Sequence, residues 1–250
     1  MTSARLRGLS GLAGTLLLVQ AIVLAIILAT VCERVLEPIT LGLPGDRERI
    51  VIEHLDLGAG VVVLCLLVAF SRLLVVTPWV YPRYLSAVRG DRYTARWLEF
   101  AFSSSIIIFL VAQLNGISDI GALVLSYAIT SGMTLFTVLQ ERSVRWSTGR
   151  MLPLWFAAVI GIVPWGVIAF HQIAALILGQ PPSPLARVIT LTMLAFSFAF
   201  FLSHWREQRR TDSARPSAGE LTHIVLSLVS TSAFAWLVVI GIMGVGNVGL

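Results

Sequence analysis

Long apolar stretches alternate with short polar ones along almost the whole chain. Seven of them, at roughly 8–30, 58–79, 95–115, 119–140, 152–179, 184–205 and 220–243, are long enough to cross a bilayer. A helix rising about 1.5 Å per residue needs about 20 mostly apolar residues to do so. The pattern therefore predicts an all-α membrane protein, a single unit of seven transmembrane helices over 1–250. The first run is of span length and lacks a small-residue cleavage site, so it is expected to be retained as the first span. No repeat is visible along the chain, which disfavours an inverted-repeat transporter.

The polar connections fall into two unequal groups. Arg5 and Arg7 precede the first span, and Arg83, Arg89 and Arg92 follow the second. Arg142, Arg145 and Arg150 follow the fourth, and Arg206, Arg209, Arg210 and Arg215 follow the sixth. The opposite side carries only Arg34, Arg47, Arg49 and Arg187. The positive-inside rule places the N-terminus in the cytoplasm and, after seven spans, the C-terminus outside. The long outer connection 31–57 holds two β-branched runs around Pro44, Gly45 and Asp46, a pattern for a β-hairpin over the outer face. The linker 206–219 is polar and reads as mobile.

Composition agrees with the pattern. The chain is 57% hydrophobic and 12% charged, against about 25% charged in soluble domains. Its net charge of +5 rests on 18 basic residues, all of them arginine, because no position is lysine. The only amine is the N-terminal one. The arginines are scattered through short loops and form no nucleic-acid stripe. Cys32 and Cys65 are too few for a disulfide framework and lack metal or redox spacing, so both read as apolar thiols. The glycine-rich stretch from Gly241 opens no βαβ unit, and no hydrolase, zinc-protease or nucleotide-binding motif appears. The expectation is a non-enzyme with no catalytic residue and no metal.

Two ionisable groups fall inside the apolar part of a span, Glu99 in the third and Arg72 in the second. Arg72 lies about seven residues before the inner end of its span, so about 10 Å deep. Glu99 sits at similar depth, which makes a charge-assisted pair geometrically reasonable. The alternative is an arginine that snorkels to the headgroups and a neutral Glu99. Ser103 shares a face with Glu99, and Ser227 and Thr231 are spaced i, i+4 in the last span. These hydroxyls either complete a polar cavity or bond back to their own helices. His171 lies in the fifth span. His204 and His223 lie near inner helix ends and read as interfacial histidines.

The third span opens Arg96-Trp97-Leu98-Glu99-Phe100-Ala101-Phe102-Ser103-Ser104-Ser105, which resembles the R-W-x-E-[YF]-x-x-S-S-S signature of heliorhodopsins. The resemblance continues through Gly121 to Leu125 in the fourth span and through Gly161, Pro164 and Trp165 in the fifth. It ends with Leu226 to Trp236 in the seventh, so it covers nearly the whole chain. It implies an inverted seven-helix topology, a hairpin after the first helix, association as a homodimer and a sensory or regulatory role rather than pumping. It further implies that Glu99 matches the counterion of a retinal Schiff base, and that histidine is usual where this chain has Arg72. The lysine that holds retinal in the family corresponds here to Thr231. A threonine hydroxyl cannot condense with an aldehyde, so no covalent cofactor is expected.

If the family pocket persists, Phe100, Ser104, Ile107, Trp165, Phe196, Phe200 and Trp236 are its candidate lining, open to noncovalent retinal, another polyene or a lipid. The leading expectation is a lysine-less, photoreceptor-like opsin that acts through a hydrophobic ligand or an unidentified protein partner. An ion or solute channel using Arg72 and Glu99 and a structural pseudo-opsin are the alternatives. Small residues in the fourth span, Ala122 with Ser126 and Ala128 with Gly132, suit a close helix pairing in lipid.

Overall fold

A computed structural model of the chain describes residues 3–31, 34–45, 48–145, 151–209 and 216–245. Its elements in order are α1 (Ser3–Thr30), β1 (Leu36–Leu41), β2 (Ile50–Asp56), α2 (Leu57–Val76), α3 (Tyr81–Arg89), α4 (Thr94–Leu114), α5 (Ile120–Arg145), α6 (Leu152–Gly161), α7 (Val163–Ile177), α8 (Pro184–Arg209) and α9 (Pro216–Val245). Seven helical segments have the length and apolarity to cross a membrane, with α6 and α7 together forming the fifth. Leu12, Phe70, Leu125, Phe170 and Leu191 are exposed on the outside of these helices. A helix that is apolar all round is what a lipid solvent selects.

Inside the bundle, Leu17, Leu64, Val68, Val111, Phe234 and Val239 form one buried core that ties α1, α2, α4 and α9 together. Close approach of α1 to α2 depends on small residues. A side-chain carbon on Gly14 would lie 2.9 Å from Leu73, and one on Gly58 would lie 2.9 Å from Leu28. Arg7 donates from Nε and Nη2 to the Val76 carbonyl, at 3.1 and 2.9 Å, satisfying an acceptor that the end of α2 leaves open.

The strands pair antiparallel with Leu36 opposite Asp56, and an irregularity falls between Ile39 and Thr40. Pro44 and Gly45 turn the chain, Gly45 at a φ of +88°, where glycine carries no penalty; Asp46 lies outside the described residues. The hairpin is docked rather than free. Thr40 donates its N–H to the Ser118 carbonyl at 2.8 Å, and the two hydroxyls lie 3.1 Å apart.

Three features depart from the sequence reading. The segment after the second span, read as a loop, contains α3, which starts with Pro82 in its first turn and buries Tyr84 and Val88 at i, i+4. The polar 206–219 linker is shorter than expected, because α8 runs to Arg209 and α9 starts at Pro216; Glu, Gln and Arg favour helix once a span has nucleated it. The rest of that linker, 210–215, lies outside the described residues, as does Cys32. Finally, the fifth span is broken at Ile162, because Pro164 has no N–H to give the carbonyl four residues back.

Candidate functional site

The inner half of the bundle is built around Glu99, and the local sequence explains why. On α4, Arg96, Glu99 and Ser103 follow one another at helical spacing and all three are buried. On α9, Glu220, His223, Ser227 and Ser230 make a second buried polar stripe, with Thr231 beside it. The two stripes face each other. Ser227 donates to Glu99 Oε1 at 2.7 Å, and His223 Nε2 lies 3.6 Å from Glu99 Oε2. Arg72 reaches in from α2 and donates directly to Glu99 Oε2. Neither side chain snorkels to the headgroup region.

Arg72 is not alone with Glu99. Its Nη1 lies 3.9 Å from Glu220, and Tyr84 from α3 donates to the same carboxylate at 2.7 Å. Arg96 then joins Glu220 at 3.5 Å, Glu207 at 3.1 Å and Glu141 at 3.7 Å, and lies over the Tyr93 ring with 4.0 Å to its centroid. Glu141 also accepts from Trp97 Nε1 at 2.5 Å. Arg72, Arg96, Glu99 and Glu220 are fully buried, so two guanidiniums meet two carboxylates in the dry part of the cluster. The two further carboxylates lie where water can reach them, with side chains 10% (Glu141) and 18% (Glu207) exposed. This placement meets the requirement that buried charge be paired. Burial, reinforced by Glu220, also lifts the Tyr84 phenol above its ordinary range.

The expectation of one acid and one base within the spans is thereby overturned. Arg96, Glu141, Glu207 and Glu220 stand at the ends of the apolar runs, yet their helices continue past the apolar core and fold them inward. His204 and His223 are likewise buried rather than interfacial, held in an aromatic layer with Trp97, Phe100 and Phe200. His204 Nδ1 lies 3.7 Å from Glu207. His171 is exposed on the outside of α7. The signal that could have found the cluster was present in the sequence: polar residues at 220, 223, 227 and 230 repeat with helical period, as do 96, 99 and 103.

Above the aromatic layer lies a cavity of about 150 Å³. Of the expected lining residues, Phe100, Ser103, Ser104, Ile107, Trp165, Phe196, Phe200, Ser227 and Thr231 all border it. Trp236 does not; it packs against the buried core on another face of α9. Ile107, Ile108, Met193, Leu194 and Trp165 make most of the wall apolar. Ile162 and Phe198 border the cavity and are also 46% and 58% exposed on the lipid side, so the space opens sideways beside the α6–α7 break.

No side chain in the sequence carries a primary amine, and Thr231, which the resemblance aligns with the family's lysine, borders the cavity. Among the described residues, no group of three or more His, Cys, Asp or Glu is placed to hold a metal. Ser126 is buried within its own bundle and Ala122 is half-buried, whereas Ala128 is exposed and a side-chain carbon on Gly132 would meet nothing within 4 Å.

Comparison with known proteins agrees with this architecture. No curated protein matches the chain. The heliorhodopsin family pattern matches residues 6–243. A multi-pass, rhodopsin-like bundle with that match over nearly its whole length belongs to the heliorhodopsin family.

Proposed function

We propose that this heliorhodopsin is a non-pumping sensory or regulatory membrane protein that binds a hydrophobic ligand noncovalently in the bundle cavity. The observation that carries the reading is the cavity itself, largely apolar, opening toward lipid and walled by Thr231 where the family has its lysine. A preformed apolar pocket with a few convergent polar groups is the usual form of a small-molecule site. The arginine distribution supports an N-terminus in the cytoplasm, which puts the charged cluster on the cytoplasmic side. Signal output then passes through a protein partner or through a homodimer, for which the outward pair Ala128 and Gly132 on α5 offers close packing.

The test is an absorption spectrum of the purified protein with and without all-trans-retinal. No visible band that hydroxylamine bleaches is expected, since no side chain can form the imine; bound polyene would be unshifted and extractable. An opsin-shifted, hydroxylamine-sensitive band would overturn the reading. The charged cluster gives one reason to consider a second reading, an ion path through Arg72 and Glu99. Against it, the cavity on the other side of the aromatic layer is bordered by no Asp, Glu or Arg. Liposomes carrying the protein should therefore show no ion flux above empty ones.

A further inference from the structure

The hydrogen-bonding groups around the cavity say what kind of ligand head it takes, an inference that rests on the ligand-binding reading above. Ser227 spends its proton on Glu99 at 2.7 Å. Ser230 spends its proton on the Ser227 carbonyl at 3.3 Å, and Ser197 on the Met193 carbonyl at 3.1 Å. A hydroxyl with its proton committed offers only lone pairs. His204 borders the same space, and its Nε2 is buried with no hydrogen-bond partner. Its Nδ1 faces the Glu207 carboxylate at 3.7 Å. Ser103 and Thr231 donate to no described residue, so they are the wall's two available hydroxyl donors.

No Asp, Glu or Arg side chain borders this space. Arg72 and Glu99 lie behind it and neutralise each other. A carboxylate head would find no free cation, and an ammonium head would find a carboxylate already paired. An aldehyde can accept from Ser103 or Thr231 but leaves the acceptors unused. A hydroxyl can do both.

We infer that the cavity selects a slender apolar alcohol, ranking it above the aldehyde, carboxylate or amine with the same tail. One additional net hydrogen bond is worth a factor of about 3 to 10 in affinity, and an unpaired charge in an apolar site costs about a hundredfold or more.

The experiment uses the full chain in nanodiscs. Retinol binding is followed by its fluorescence excited through tryptophan, Trp165 being in the wall, and retinal, retinoate and retinylamine compete for the site. Support is a retinol affinity about 3- to 10-fold above that of retinal and about a hundredfold above the two charged heads. Ala157→Phe, which fills the cavity, should abolish binding of all four, with Ile107→Trp as the second blocking variant should the first not fold. Retinal equal to or tighter than retinol would overturn the inference and leave the site reading standing. Binding of no head at all, or binding that survives both blocking variants, would overturn the site reading and the inference with it.

Discussion

Removing Arg72 should harm this protein more than neutralising its partner, and the asymmetry follows from the geometry. Arg72 contacts Glu99 and lies 3.9 Å from Glu220, so Arg72→Met strips Glu99 of its arginine partner and leaves Glu220 to Arg96 alone. Glu99→Gln keeps the shape and can still accept from Ser227, while Arg72 retains Glu220. Breaking a buried pair by deleting one member costs about 3–5 kcal/mol, because the other charge is left uncompensated. We assign that range to Arg72→Met and about 1–2 kcal/mol, the scale of an ordinary lost polar contact, to Glu99→Gln. For a chain of this size about 1 kcal/mol shifts the midpoint by about 2–4 °C, so Arg72→Met should melt about 6–20 °C lower in detergent. The double variant should lie above Arg72→Met, since it removes the charge that Arg72→Met strands on Glu99. Equal melting of the two single variants, or a larger loss from Glu99→Gln, would refute the shared role of Arg72.

The remaining predictions test other parts of the structure. Folded Tyr84 keeps its proton longer than the unfolded chain does, so its contribution is full below about pH 10 and falls by about 1.4 kcal/mol per pH unit above it. Tyr84→Phe should remove one proton's share of that alkaline slope in a pH-dependent melt, leaving the share of Tyr93, which burial also raises. Thr231→Lys should give a hydroxylamine-sensitive pigment with retinal, because the new amine would enter the cavity wall; a folded variant that stays colourless would show that the space does not suit retinal. Ala128→Leu with Gly132→Leu should weaken a homodimer in mass measurements without lowering the melting temperature, whereas a wild-type protein that is only monomeric in nanodiscs would remove the dimer.

The seven spans were legible because the apolar stretch a bilayer demands is a one-dimensional signal. The hairpin was legible for a similar reason, two β-branched runs around Pro44 and Gly45. What the sequence hid was where each helix stops. Glu220, Glu207 and Glu141 stand just past the apolar runs, and hydropathy treats such residues as headgroup or solvent groups. In the bundle they are drawn onto Arg96, whose guanidinium takes Glu207 at 3.1 Å and Glu220 at 3.5 Å. Mutual neutralisation makes burial tolerable for the cluster where it would be costly for any one member. The aromatic lining was legible only through resemblance, and Trp236 shows why: an aromatic in a span is equally at home in plain packing, and which side of α9 it occupies is settled by three-dimensional neighbours.

Thr231 and Arg72 belong together in the proposed reading. A pigmented relative would place a cationic, retinal-bearing nitrogen near the carboxylate that Glu99 represents, and that carboxylate needs a cation to remain charged in a dry bundle. If Thr231 stands at the family's lysine position, as the resemblance implies, that nitrogen is gone, and a lone Glu99 would be an unpaired buried acid. Arg72 supplies the missing charge from the neighbouring helix, and a guanidinium suits the task because it stays protonated and can bridge Glu99 and Glu220. The consequence reaches the cavity. In a pigmented bundle the carboxylate attracts the ligand's charge, whereas here its partner is part of the protein and approaches from behind the wall. The Arg72–Glu99 pair keeps its electrostatic balance without a ligand, which fits the proposed recognition of a neutral molecule by shape and hydrogen bonding.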